Sequence, residues 1–86
     1  MIFFDTEGVG STGPLVTIQW AYRPYNALRD LRREDVELHK IWDNPLKETL
    51  ELIELFCEEE ICGFNLVHDW FQINKWYNVF KQLTPE

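Results

Sequence analysis

Basic side chains are scarce in this chain. Eight Lys and Arg stand against fifteen Asp and Glu, for a formal charge of −7. That balance argues against the basic surface with which most nucleic-acid binders coat phosphate. It leaves room for nucleic acid held through divalent ions, which reverse the sign of an acidic site locally. Cysteine is nearly absent as well. Cys57 and Cys62 do not make a disulfide framework, and they read as reduced thiols of a cytoplasmic protein. Five positions apart and with no second pair, they do not suggest a metal site. No apolar run approaches the roughly 20 residues of a membrane span. The opening MIFF lacks the basic start and long apolar core of a secretory signal. There is no internal repeat and no low-complexity tract. No Gly-Lys-Ser/Thr follows the glycines of residues 8–13, so that turn is not a phosphate-binding loop.

What is present is apolar and aromatic. Of 86 residues, 45% are hydrophobic and 15% aromatic, which makes disorder a poor description. The length allows one domain or part of one, with a core that buries only about 60–65% of the unfolded surface. Ile2 to Asp5 reads as a short buried strand, and Gly8 to Pro14 as a turn. Leu15 to Arg23 reads as a second strand, with Val16, Ile18, Trp20 and Tyr22 as its more buried phase. Residues 24–35 form a connection with a short helical turn. Val36 to Trp42 alternates as a third strand. Asn44 can cap a following helix, with Pro45 at its first position. Leu46, Leu50, Ile53 and Cys57, with Leu52 and Phe56 beside them, give it an apolar stripe. Glu48, Glu51, Glu54 and Glu58 form its solvated face, and Glu58 to Glu60 mark its exit. Ile61 to Asn65 reads as a fourth, buried strand. Asp69 to Leu83 is a second helix, with Phe71, Trp76 or Tyr77, Phe80 and Leu83 at helical spacing. The pattern predicts an α/β layered domain: a three-strand meander, then a fourth strand parallel to a neighbour.

The acids are placed where such a fold makes sites. Asp5 and Glu7, two apart, leave the end of the first strand on one face. Asp69 follows the fourth strand. Ligands of parallel α/β sheets bind at the carboxyl ends of strands, so neighbouring first and fourth strands would bring the three acids together. Clustered carboxylates repel without a cation. Hard oxygen ligands select Mg²⁺ or Mn²⁺. Each acid also has a plainer reading, Asp69 above all, which would serve equally as a helix N-cap.

Two stretches carry a resemblance. FFDTEG resembles motif I of the DEDD (DnaQ-like) superfamily of 3′–5′ exonucleases, in which a first strand ends in D-x-E. GFNLVHDWF is similar to motif II, with Asn65 and Asp69 matching position for position. The resemblance covers Ile2 to about Leu83. It implies an RNase H-like fold, a mixed sheet with flanking helices, and phosphodiester hydrolysis by two Mg²⁺ or Mn²⁺ ions. Asp5 would bridge both metals, Glu7 would hold the one that activates water, and Asp69 would serve the second. Asn65 would steady the site or touch the terminal nucleotide. The backbone of Thr6 and Gly8 would lie against that nucleotide. The implied partner is a single-stranded 3′ end, met by a free-standing enzyme or by the proofreading part of a DNA polymerase.

The chain departs from the family in three places. Gly8 stands where Thr is common, and His68 where Phe is usual. The family's motif III, a fourth acid with a His or Tyr that orients the water, has no counterpart after motif II. His39 and Asp43 imitate it only superficially, before motif II. The resemblance thus implies the N-terminal portion of an exonuclease domain over residues 1–86, inactive alone, with the rest of the domain to follow. A non-catalytic RNase H-like interaction module is the alternative. Trp70, Trp76 and Tyr77 would then leave apolar surface for self-association. Trp20, Tyr25 and Trp42 read as packing residues rather than base-stacking ones.

Overall fold

The computed structural model describes residues 1–10, 13–22, 35–63 and 65–84. Strand β1 is Ile2–Gly8, and it pairs antiparallel with β2, Leu15–Tyr22. The turn between them is closed by the Val9 N–H, which donates to the Pro14 carbonyl at 3.0 Å. Gly10 takes a left-handed φ of 69° there, which a side chain would resist. Strand β3, Glu37–Lys40, pairs antiparallel with β2. Strand β4, Ile61–Cys62, pairs parallel with β1 across Ile2 and Phe3. The sheet order is β3-β2-β1-β4, so the protein is a small α/β fold with a mixed sheet. The meander and the parallel fourth strand form as the pattern predicts.

Register sorts the side chains. Ile2, Phe4, Thr6, Ile18, Trp20 and His39 share one face, while Phe3, Asp5, Glu7, Gln19, Ala21 and Leu38 share the other. Helix α1, Leu46–Glu58, and helix α2, Leu66–Leu83, pack on the first face. The Phe4 ring lies 5.3 Å from that of Phe56 and 6.1 Å from that of Trp70. Trp20 meets Phe56 edge-on at 5.8 Å. Ile2, Leu15, Ile18, Ile53 and Ile73 complete the core.

Several elements differ from their expected form, each for a local reason. In β2, Ile18 is buried as expected, but so are Leu15 and Ala21, while Tyr22 is 51% exposed. Glu7 pairs with Thr17 and Gly8 with Leu15, so Val16 is an extra residue, and the alternation flips beyond it. Leu15 thereby joins the core face. Ala21 sits opposite Phe3 on the second face, where a methyl group is easily hidden. Strand β3 stops at Lys40, and Ile41–Asp43 form a 3-10 turn. Asn44 does not cap α1. Its side-chain amide donates to the Lys40 carbonyl at 2.7 Å and ties off that turn, and Pro45 takes the N-cap place. The buried residues of α1 are Thr49, Ile53 and Phe56, while Cys57 is exposed. The helix is rotated from its expected stripe because Thr49 is drawn inward by His39 Nε2, 2.7 Å from its hydroxyl. Glu48, Glu51, Glu54 and Glu58 face solvent as expected.

Strand β4 is two half-buried residues, not five. At Gly63 the backbone passes so close to β1 that a Cβ would meet the Phe4 carbonyl oxygen at 3.0 Å. From there the chain turns into α2, which begins three residues before Asp69. Its inward positions are Asp69, Ile73 and Phe80, with Trp76 partly buried against the core. Phe71 and Leu83, expected inside, are each 65% exposed. Admitting an acid to the inward stripe is what shifts its phase. The connection at residues 24–34, with Tyr25, lies outside the described residues, as does Phe64.

Phe56 and Phe71 test this phase. Phe56→Ala removes a ring packed against Phe4 and Trp20 and should cost about 3–5 kcal/mol. Phe71→Ala should stay within about 0.5 kcal/mol of wild type. Urea unfolding followed by tryptophan fluorescence checks both.

Candidate carboxylate site

Because β1 and β4 are parallel neighbours, their carboxyl ends point the same way. β1 contributes Asp5, Thr6 and Glu7. β4 leads, through Gly63 and Asn65, into the first turns of α2 and so to Asp69. Asp69 is only 3% exposed. One of its oxygens, Oδ1, accepts a hydrogen bond from the Thr6 hydroxyl at 2.9 Å. His68 Nδ1 stands 3.5 Å from the same oxygen, with its ring half exposed. The other oxygen, Oδ2, is buried with no hydrogen-bond partner. A buried acceptor in that state costs roughly 1–3 kcal/mol, more when charged.

Asp5 feels Asp69 directly. Burial first, then the negative charge of Asp69, holds the Asp5 carboxyl above the ordinary aspartate value of 3.8. The close approach of the Asp69 side chain and the charge of Glu7 push the same way, against the lowering effect of a backbone hydrogen bond at Thr6. Asp5 and Asp69 are therefore a coupled pair, and Glu7 is a more distant third charge. Among the described residues no group of three or more His, Cys, Asp or Glu side chains is arranged to hold a metal ion. Of the three acids expected to converge, Asp5 and Asp69 are coupled most strongly, with Glu7 adding a smaller charge effect on Asp5.

The other site candidates fall as follows. Gly8 lies opposite Leu15 at the exposed end of β1. Asn65 is the exposed N-cap of α2, makes no side-chain capping bond, and gives its carbonyl to the Asp69 N–H at 3.0 Å. Asp69 itself is not the cap, since the helix has already started. His39 lies on β3, with β2 between it and β1, and is engaged with Thr49. Burial lowers its pKa, against a smaller opposing effect of Glu48. Asp43 is exposed in the 3-10 turn. The residue that sequence reading undervalued is Thr6, whose side chain, not only its backbone, enters the site. Strand alternation held the signal, because it sets Thr6 on the face opposite Asp5 and Glu7, the face α2 covers.

No known protein family, curated protein or solved structure matches the chain.

The coupled pair has a pH signature. With its pKa raised on folding, Asp5 binds its proton more tightly in the folded chain. Stability therefore falls as pH rises from 3.8 through the raised value, and the loss persists above it. Asp5→Asn should be more stable than wild type at pH 7, by about 0.2–1 kcal/mol given its exposure. The gain should vanish in acid below about pH 3.8. Thermal melts at both pH values measure it, and a less stable variant at pH 7 would contradict the coupling.

Proposed function

We propose that the chain carries motifs I and II of a metal-dependent 3′–5′ exonuclease domain with an RNase H-like fold, acting on phosphodiester bonds at nucleic-acid 3′ ends. One observation carries this reading: Asp69 Oδ2, buried and without a donor, belongs to a carboxylate coupled to Asp5. A hard cation would satisfy that oxygen and relieve the repulsion at one stroke. Mg²⁺ commonly uses only one or two carboxylates, with waters and substrate phosphates completing its shell, so the pair fits it. The sheet order supports the fold reading, since motif I ends the first strand and motif II opens the helix after its parallel neighbour.

When bound, the ions would stabilise charge on the attacking and leaving oxygens. The protein's own part is orientation. Asp5 and Asp69 would hold the cations. Thr6, by fixing Oδ1, aims Oδ2. Glu7, on the Asp5 face, would add charge for the ion that activates water. The side chain of Asn65 and the backbone at Gly8, both exposed, would meet the terminal nucleotide, with the backbone of Thr6 beside them. A water-orienting His or Tyr is not assigned. Tyr77 gives its hydroxyl to Glu54 at 2.8 Å, and His39 is held by Thr49.

A second reading, a non-catalytic interaction module, is favoured by Val67 and Phe71. One turn apart on α2, they are 85% and 65% exposed.

Calorimetric titration with Mn²⁺ separates the two. Wild type should bind, and Asp5→Ala and Asp69→Asn should each bind at least about tenfold more weakly, as lost ligands do. Equal heats in all three proteins would put the module reading ahead. Pure chain incubated with a labelled single strand should give negligible cleavage. A 3′ ladder would bring His68 forward as the missing water-orienting group.

A further inference from the structure

The two oxygens of Asp69 are unequal. Oδ1 is taken: the Thr6 hydroxyl donates to it at 2.9 Å, and His68 Nδ1 stands 3.5 Å from it. Oδ2 is the oxygen left without a partner, on a residue only 3% exposed. A cation reaching this carboxylate therefore meets one oxygen. To be gripped by both, it would need Oδ1 to turn away from Thr6. Thr6 is not free to follow such a turn. It sits in β1 opposite Ile18, and a β-branched side chain has few rotamers to choose from. Cations differ in what this restriction costs them. Ca²⁺ takes about six to eight oxygens and commonly gains two from one carboxylate. Mg²⁺ and Mn²⁺ take about six in an octahedral shell, to which single carboxylate oxygens are suited. A carboxylate this buried leaves little room for waters to supply the ligands Ca²⁺ would lack.

We propose that Thr6 sets metal selectivity: by engaging Oδ1 its hydroxyl confines Asp69 to one-oxygen ligation, which favours a small octahedral cation over Ca²⁺. The proposal rests on the metal reading above for the presence of a cation, and it adds the residue that chooses among cations. In this role Thr6 is a positioning residue, acting through Asp69. The D-x-E pattern fixes the acids on either side and leaves position 6 open, so the preference belongs to this side chain and not to the motif.

The test compares Mn²⁺ and Ca²⁺, each alone, on the full chain without nucleic acid. Calorimetry gives the Kd of both cations for wild type, Thr6→Val and Thr6→Ser. Wild type should bind Mn²⁺ the more tightly. Thr6→Val keeps the shape of the side chain and removes the hydroxyl, which frees Oδ1. Its Mn²⁺ binding should weaken about tenfold, as loss of the partner behind a ligand does. Its Ca²⁺ binding should hold or strengthen, so the preference for Mn²⁺ falls about tenfold or more. Thr6→Ser returns the hydroxyl and should return the preference, which repair of packing alone would not do. If Thr6→Val fails to fold, Thr6→Ala, which leaves room for a water at Oδ1, takes its place with the same expectation. Wild type that binds Ca²⁺ as tightly as Mn²⁺ overturns the proposal whatever the variants do. So does an unchanged preference in a folded variant without the hydroxyl, or a lost preference that Thr6→Ser does not recover. Each of these leaves the metal reading standing. No heat from either cation in wild type is the separate result that removes the metal reading, and this proposal with it.

Discussion

The hydrogen bond from Thr6 to Asp69 is the constraint on which the site depends. It joins a strand near the N-terminus to a helix sixty-three residues later, at a point where the sheet offers no ladder to do so. Among the described residues β4 pairs with β1 across Ile2 and Phe3, and Gly63 lies against the Phe4 carbonyl just beyond. The hydroxyl takes over where the backbone pairing stops. It also fixes the rotation of α2. With Asp69 turned toward β1, Ile73, Trp76 and Phe80 follow on the same stripe, and Val67 and Phe71 are left outside. A carboxylate in the inward row is unfavourable burial, and one hydroxyl satisfies only half of it. The unsatisfied half is what gives the arrangement a use.

The order of elements was legible in the sequence because it rests on strong signals. Runs of β-branched and aromatic residues, a glycine-rich turn and two long helical periods leave little choice of layer or neighbour. Phase was less legible. A single extra residue at Val16 reverses alternation without changing composition, and nothing in the letters marks it. The same holds for α1, where a Thr–His contact between residues ten apart in the chain outweighs the preference for Cys57 or Leu50 at the core. In both helices the misread residues sit beside a polar group that is buried because it has a partner elsewhere, and single-sequence periodicity cannot see partners.

The acids were legible as a group, and the strength of their coupling was not. Motif spacing puts Asp5 and Glu7 on one face, and topology brings Asp69 to the same end, both as read. Topology does not make three side chains converge. Asp69 approaches from the helix layer, Asp5 and Glu7 point to the other side of the sheet, and only Asp5 is close enough to feel Asp69 strongly. Asp5 thus stands between two environments. One is the buried carboxylate above the helix-covered face, and the other is an apolar hollow on the opposite face that ends at Gln19.

The extra residue in β2 has a consequence for how this hairpin tolerates change in length. Deleting Val16 would set Leu15 next to Thr17 and restore a regular ladder in which Leu15 still faces Gly8 on the core side. A change of length in the turn between Val9 and Pro14 likewise leaves the phase of the strands unchanged. Residues could be added there with only the slow entropic cost of a longer loop. Length is therefore the tolerant property of this hairpin at Val16, because the residue that can be lost there is the one the ladder leaves unpaired.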